Sequence, residues 1–191
     1  MFILPSQVMA QDQLTLLNGK VISAEIINMD SVFITYNYKK KNKVKQKSIP
    51  ADLVFMIEHK EGNTDTIYYQ NPEIDQYLSV KEMELFIMGE QDAYTYHKST
   101  WTAVLGVAFG AGGGYLLYET IAVAAVPLIY TVGAGISRVS TKRVSGRSSE
   151  ILSHPAYQEG YIKVARSKKA FTALASSLAG TLIGFGIAYD Q

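Results

Sequence analysis

Two long stretches almost without charge constrain this chain more than any other feature of its sequence. From Trp101 to Ile136 the only charged residue is Glu119, and from Ala170 to Ala188 there is none. Between them, segment 137–169 holds all eight basic residues of the C-terminal half. Soluble surfaces intersperse charges of both signs, so this sorting is unusual in water. A membrane-spanning helix needs ~20 apolar residues, and we therefore predict that residues 101–191 form a membrane region.

Aromatic residues bound two of the apolar segments. Trp101 and Tyr118 lie at the ends of segment 101–118, and Phe171 and Tyr189 at the ends of segment 171–189. Trp and Tyr favour the two interfaces of a bilayer, so both segments are predicted to be membrane helices. The segment between them, 120–136, is predicted to be a second crossing, a re-entrant segment or an interfacial helix.

Small residues recur every four positions in both predicted membrane helices. They are Gly106, Gly110 and Gly114 in the first helix and Ser176, Gly180 and Gly184 in the second. In water a glycine weakens a helix by ~1 kcal/mol, but in a bilayer this spacing lets two backbones approach closely. We predict that these six residues form a glycine zipper in which the two helices pack. If each helix crosses the membrane once, they run antiparallel, with Gly110 close to Gly180.

The basic segment 137–169 and the N-terminus together predict a topology. Lys and Arg prefer the cytoplasmic side of an inner membrane. Residues 1–10 contain the apolar run Phe2-Ile3-Leu4 and suit the remnant of a signal peptide, although a disordered N-terminus is the alternative. An exported N-terminal domain requires an odd number of crossings before the basic segment. One crossing at 101–118 satisfies this, and it places the N-terminal domain in the periplasm. Two full crossings fit only if the N-terminal domain is cytoplasmic.

Residues 11–75 show the alternation and turns of a small β-rich domain. Asn18-Gly19 is a hairpin signal, and Val32, Ile34, Tyr36 and Tyr38 alternate as in a half-buried strand. Five short strands predict a small closed or partly open barrel, and the fold class is α+β. The strand order resembles Sm-like and SH3-like barrels. The Sm-like resemblance implies RNA binding. The Lys-rich segment 39–47, with six lysines, instead predicts an exposed hairpin tip and a solvated strand, and no base-stacking aromatic signature accompanies it, so nucleic acid is not the expected partner.

Two further helices are indicated by their start signals. Ser79 and Glu82 form a capping box that opens an amphipathic helix within segment 76–100. Ser153-His154-Pro155 opens a short basic helix, with Tyr157, Tyr161, Val164 and Ala165 on one face, suited either to anionic headgroups or to a solvated connector. Segment 137–150 is predicted to be a flexible linker.

No catalytic, cofactor-binding or metal-binding constellation is visible. The chain has no cysteine, and its three histidines, His59, His97 and His154, are far apart in sequence. We therefore predict that the protein is not an enzyme and needs no cofactor.

The order of the motifs LNGKVISAEI, GEQDAYTYH, HPAYQEGYIKVARSKKA and GTLIGFG is similar to that of envelope proteins of Bacteroidota-type bacteria. The resemblance covers most of the chain and implies an envelope location without an activity. Together these features predict a membrane-anchored structural or adaptor protein whose β domain binds a protein partner or a second copy. One alternative is a small oligomeric pore or transport component, with Glu119 as its polar membrane residue. The other is a membrane-tethered nucleic-acid-binding barrel.

Overall fold

A computed structural model describes residues 11–41, 43–141 and 143–190 of the chain. The fold is of the predicted α+β class, with strands first and helices after. The chain divides into two compact units, with the boundary between Ile87 and Met88. The predicted signal-peptide remnant, residues 1–10, lies outside the described residues.

Six antiparallel strands form one open sheet in the first unit. They are β1 (Asp12–Leu16), β2 (Val21–Met29), β3 (Phe33–Lys40), β4 (Lys43–Pro50), β5 (Val54–Glu58) and β6 (Thr64–Thr66), in the spatial order β4-β3-β2-β1-β5-β6. Of the two predicted forms, the closed barrel is not formed, because no pairing joins the edge strands β4 and β6 among the described residues. The Lys-rich segment forms the exposed β3–β4 hairpin, as predicted.

The sheet bends at β2, which pairs with different strands along its two halves. Its first half pairs with β1 and its second half with β3, with a bulge between Ile26 and Asn28. Bulges increase local twist, which lets the sheet curve over its own apolar face. The buried side chains on that face are Leu14, Leu16, Ala24, Ile34, Tyr36, Ala51, Val54 and Ile57.

The predicted Asn18-Gly19 hairpin is present, but three residues, and not two, lie between the Leu16 and Lys20 pair that closes its loop. The Leu16 amide donates to the Lys20 carbonyl at 2.9 Å, and the Gly19 amide donates to the Leu16 carbonyl at 3.0 Å. Gly19 has a φ of 74°, the left-handed conformation in which this hairpin type favours glycine.

Helix α1 (Val80–Tyr96) begins at the predicted capping box. The Ser79 amide donates to Glu82 Oε2 at 2.9 Å, and the Glu82 amide donates to Ser79 Oγ at 3.4 Å. The first turns of α1 complete the β unit, because Ile87 packs with the buried Phe55 and Tyr68. Its remaining turns belong to the second unit.

The second unit is helical. It contains α2 (Thr100–Leu116), α3 (Val126–Ile136), α4 (Ser149–Ser153) and α5 (Pro155–Tyr189), and a 3-10 turn at Ile121–Ala125 leads into α3. The predicted basic helix and the predicted last membrane helix are one 35-residue helix. Its predicted apolar face is confirmed, since Tyr157, Tyr161, Val164 and Ala165 are all buried. No Gly or Pro stands between Tyr161 and Ala179 to interrupt it.

Helices α2 and α3 form an antiparallel hairpin. A β-carbon on Gly113 would lie 2.6 Å from Val126 Cγ1, so the end of α2 touches the start of α3. Near the other end, the Tyr130 hydroxyl donates to the Thr102 carbonyl at 2.7 Å. The chain therefore returns along α3 to the end at which α2 began.

Candidate membrane-anchoring surface

The six predicted helix-packing residues lie at the seam between α2 and α5. A β-carbon on Gly110 would overlap the Ser177 carbonyl oxygen and lie 2.8 Å from the Thr181 amide nitrogen. One on Gly180 would overlap the Val107 carbonyl oxygen in the same way. Gly114 and Gly184 also face the backbone of the opposite helix, and Gly106 faces the Ser176 side chain. Only glycine fits where two backbones are this close.

The two helices run parallel, and the antiparallel prediction is wrong. Gly106 faces Ser176, Gly114 faces Thr181, and Gly184 faces Ala111 and Tyr115, so residue numbers rise together along both helices. The reason is the return along α3, which brings the chain back before α5 starts. Gly110 and Gly180 still lie at the same level, because each contacts residues adjacent to the other.

Hydroxyl groups fill the remaining space in the seam. Ser177 and Thr181 are buried there, and each hydroxyl donates to a carbonyl four residues earlier in its own helix. The distances are 2.6 Å from Ser177 Oγ to the Ala173 oxygen and 2.8 Å from Thr181 Oγ1 to the Ser177 oxygen. The seam is therefore built of small and internally satisfied side chains, as in helices that pack in lipid.

The large apolar side chains of the same helices point away from the seam. Leu182 is 72% exposed, and Ile121 at the hairpin end is 95% exposed. Others that are exposed are Trp101, Val104, Leu105, Phe109, Leu116, Leu128, Ile129, Val132, Ile136, Phe171, Leu178, Ile183 and Ile187. This arrangement is the reverse of a water-soluble core, in which the large apolar residues are inside.

Helix α5 is long and apolar enough to cross a membrane. Among the described residues it is the one helix that meets this length and composition, while Ile121–Ile136 is apolar but shorter. Only 22% of its most apolar window is buried within the chain. A core helix of a soluble protein would bury most of that surface.

Charge separates to the two ends of the three packed helices. Gly106 faces Ser176, and Trp101 and Phe171 each precede these residues by five positions, so both lie at one end of the seam. Tyr118 and Tyr189 follow the last seam glycines, Gly114 and Gly184, and lie towards the other end. Beyond the first pair lie Arg138, Lys168 and Lys169, and beyond the second lie Glu119 and Asp190. The Tyr118 hydroxyl donates to Glu119 at 2.8 Å, so this acid lies at the hairpin end and not in the seam.

Two consecutive lysines hold helix ends together at the basic end. Lys168 Nζ donates to the carbonyls of Ala93, Tyr94 and His97 at 3.3, 3.0 and 2.9 Å, at the C-terminus of α1. Lys169 Nζ donates to the Arg138 carbonyl at 3.2 Å and to Ser137 Oγ, at the C-terminus of α3. Helix C-termini carry unpaired carbonyls and partial negative charge, which ammonium groups stabilise.

A buried polar cluster fixes segment 137–150 to α1. The Asp92 carboxylate accepts hydrogen bonds from Arg147 Nε at 2.9 Å and Nη2 at 3.2 Å, and from the Tyr157 hydroxyl at 2.9 Å. Burial, and then the bond to Asp92, raises the pKa of Tyr157. Sequence reasoning missed this cluster, because its members are 55 and 65 residues apart. Arg147 therefore ties one point of segment 137–150, which was predicted to be a flexible linker, to α1.

The histidines do not converge. His59 contacts Asp65 at 2.9 Å and Asp12 at 3.7 Å in the β unit, whereas His154 accepts a bond from the Ala156 amide at the start of α5. Among the described residues, no group of three His, Cys, Asp or Glu is placed to hold a metal ion.

Comparison with known proteins gives no relative to interpret. No protein family, curated protein or solved structure matches this chain.

Proposed function

We propose that the protein is a membrane-anchored adaptor of the bacterial cell envelope. Its second unit is the anchor, and its β unit is the part that binds a protein partner. The observation that carries the proposal is the reversed packing of α2, α3 and α5. Lipid would cover the large apolar side chains that the chain itself leaves exposed, and such burial is worth roughly 25 cal/mol per Å².

The dimensions of the helices support this proposal. The distance along α5 from Phe171 to Tyr189 is about 27 Å at 1.5 Å per residue, close to the ~30 Å hydrocarbon core. Aromatic residues bound this slab at both levels, where amphipathic rings favour the interface. The charged residues lie outside it.

The proposed topology differs from the one predicted from sequence. With α2 and α3 as a hairpin and α5 parallel to α2, segment 137–154 returns to the side from which α2 started. The chain enters the helical unit through α1 at that same basic end. Because Lys and Arg prefer the cytoplasmic side of an inner membrane, we propose that the β unit is cytoplasmic and not periplasmic.

A substitution on the outer face of α5 tests the anchor. Leu182 lies near the middle of the apolar span, where an arginine costs about 2.5–3.5 kcal/mol on insertion. We expect Leu182→Arg to shift the full-length protein from the carbonate-resistant membrane fraction towards the soluble or aggregated fraction. Leu53→Arg is the matched control, because Leu53 is a 49% exposed leucine of the β unit. It should stay with the membrane.

Two results would overturn the anchor. One is a wild-type protein that purifies as a soluble species without detergent. The other is equal membrane association of Leu182→Arg and the wild type. Ion flux measured in the same reconstituted liposomes would instead support the pore alternative, since an adaptor conducts no ions.

A further inference from the structure

A cavity with a cationic lining opens at the basic end of the helical unit. Its volume is about 580 Å³. Four cationic side chains line it, from the α1–α2 junction, the segment after α3, and α5; they are Lys98, Arg138, Arg143 and Lys169. No acidic residue is among its lining residues in the described part of the chain.

Three of these cations have no acidic partner. Within the described residues, Lys98, Arg138 and Arg143 make no ion pair with a carboxylate within 4.0 Å. Lys169 binds neutral oxygens at the end of α3. The neighbouring Arg147, by contrast, is paired with Asp92 and does not line the cavity. Positive charge is therefore concentrated here without internal compensation, which favours an anion from outside the chain.

Two residues that line this cavity also carry polar atoms without partners. His97 Nε2 and Ser99 Oγ are buried atoms with no hydrogen-bond partner among the described residues, and both residues line it. Ser99 is the N-cap of α2, but its hydroxyl does not cap the helix. Thr100 to Thr102, the first residues of α2, line the same space, and their backbone amides have no acceptor within the helix, whose first bond is from the Ala103 amide to the Ser99 carbonyl. Helix N-termini bind phosphate through such amides.

An apolar groove continues from the cavity along the helices. It has a volume of about 400 Å³ and shares Trp101, Thr102 and Lys169 with the cavity. Its remaining lining is mainly apolar, with Leu105, Phe109, Ile129 and Tyr130 from α2 and α3. The cationic cavity lies where the proposed membrane interface would be, and the apolar groove lies beneath it. This combination matches an amphipathic molecule with an anionic headgroup and an apolar chain.

We propose that this cavity and groove bind an anionic phospholipid. Its phosphate lies among Arg138, Arg143, Lys169 and the start of α2, and one acyl chain lies in the groove. The inference rests on the proposed membrane anchor. A free phosphate ion shares the headgroup chemistry, but it would leave the groove without an occupant.

Trp101 provides the measurement, because it is the only tryptophan and it lines both spaces. The full-length protein in micelles of an uncharged detergent is titrated with dioleoylphosphatidylglycerol, with dioleoylphosphatidylcholine and with inorganic phosphate. We expect a saturable change in Trp101 emission at about tenfold lower concentration of the anionic lipid than of the zwitterionic one. Added salt should weaken this preference, because it screens the charges.

The variants test the proposed contacts. Arg138→Gln and Arg143→Gln together should abolish the preference for the anionic lipid. Arg166→Gln is the matched control, since Arg166 is an exposed cation of the same basic end that does not line the cavity. It should keep the preference. Circular dichroism checks the fold, and Arg143→Gln alone is used if the double variant loses helix.

The outcomes separate this inference from the anchor on which it rests. Equal response to both lipids by a protein that still requires detergent overturns the lipid site and leaves the anchor standing. A saturable response to inorganic phosphate that competes with the anionic lipid overturns the phospholipid as occupant. A protein that needs no detergent overturns both. Equal loss of preference in Arg166→Gln and the double variant overturns the assignment of the cavity.

Discussion

Gly110 and Gly112 lie two positions apart in α2, and the same substitution should affect them differently. A β-carbon at Gly110 meets the backbone of α5, whereas one at Gly112 meets nothing within 4 Å. Backbone cannot move aside as a side chain can, so Gly110→Ala should push the helices apart. We expect it to destabilise the helical unit by about 1–3 kcal/mol. Unfolding in detergent, followed by circular dichroism, measures this.

Gly112→Ala is the control for this prediction, and it should leave stability unchanged or raise it slightly through helix propensity. Gly184 and Gly186 form a second matched pair in α5, with Gly184 against Ala111 and Gly186 open. Equal losses at Gly110 and Gly112 would show that helix propensity, and not the seam, governs these positions.

His97 gives the helical unit a dependence on pH. Burial, followed by the charges of Lys168, Lys169 and Arg143, lowers the pKa of His97 below 6.5. The folded state then binds fewer protons than the unfolded state. The stability that comes from neutral His97 is complete above about pH 6.5 and is lost as the pH falls through the lowered pKa.

We therefore expect the melting temperature of the helical signal to fall between about pH 7.5 and pH 5.5. His97→Gln should reduce that fall, because it removes the titrating group. His59→Gln, which changes a histidine of the β unit, is the control and should leave the fall in place. An unchanged pH dependence in His97→Gln would contradict the assignment.

At the residue scale, the sequence predicted what is local. The four-residue spacing identified the six residues of the seam between α2 and α5, because residues four apart lie on the same face of a helix. The sequence did not predict the pairing of Asp92 with Arg147, since nothing near either residue indicates a partner 55 positions away. The cationic cavity was missed for the same reason. Arg138 and Lys169 come from opposite ends of the basic segment.

At the scale of elements, α1 is shared between the two units. Its Ile87 packs against Phe55 and Tyr68, and the Tyr68 hydroxyl donates to the Leu78 carbonyl at 2.6 Å. A fragment of residues 11–87 should therefore fold in water without detergent. A shorter fragment of residues 11–75 lacks these contacts and should be less stable.

Burying a side chain such as Ile87 is worth about 1.5–3 kcal/mol, and we expect the two fragments to differ by at least that amount. Urea unfolding of both, followed by circular dichroism, provides the comparison. Equal stability would mean that the start of α1 adds nothing to the β unit. Failure of both to fold would contradict the division at residues 87 and 88.

The strands and helices were largely predictable from sequence, whereas their closure and direction were not. Alternation and turn residues gave the β1–β2 hairpin and the Lys-rich hairpin. The sequence could not show that β4 stays an open edge, because closure of the sheet depends on how far it bends at the Ile26–Asn28 bulge. Likewise, helices were correctly predicted at the apolar segments. Their parallel pairing was not, because it depends on the return of the chain along α3.

At the scale of the whole molecule, the parallel arrangement predicts which residues label together. The chain has no cysteine, so single cysteines report cleanly. Lys45→Cys in the β unit and Ser145→Cys in the basic segment should react alike with an impermeant maleimide on intact spheroplasts. Both should be protected if the β unit is cytoplasmic.

Thr120→Cys, at the far end of the α2–α3 hairpin, is the opposite reporter and should be labelled. Permeabilised cells provide the control that every cysteine can react. If only one of Ser145→Cys and Lys45→Cys is labelled, the α2–α3 hairpin does not cross the membrane twice. The single crossing at 101–118 predicted from the sequence would then be correct.

The parallel seam also has a consequence in time. Gly110 and Gly180 are about 70 residues apart, so at 5–20 residues per second a ribosome needs about 4–14 s to make the second helix after the first. During that interval the glycine face of α2 is complete but has no α5 to cover it. Chains made by neighbouring ribosomes on one message bring other copies of α5 close to this uncovered face of α2. Slow translation through segment 137–169 should therefore favour exchange of α5 between chains.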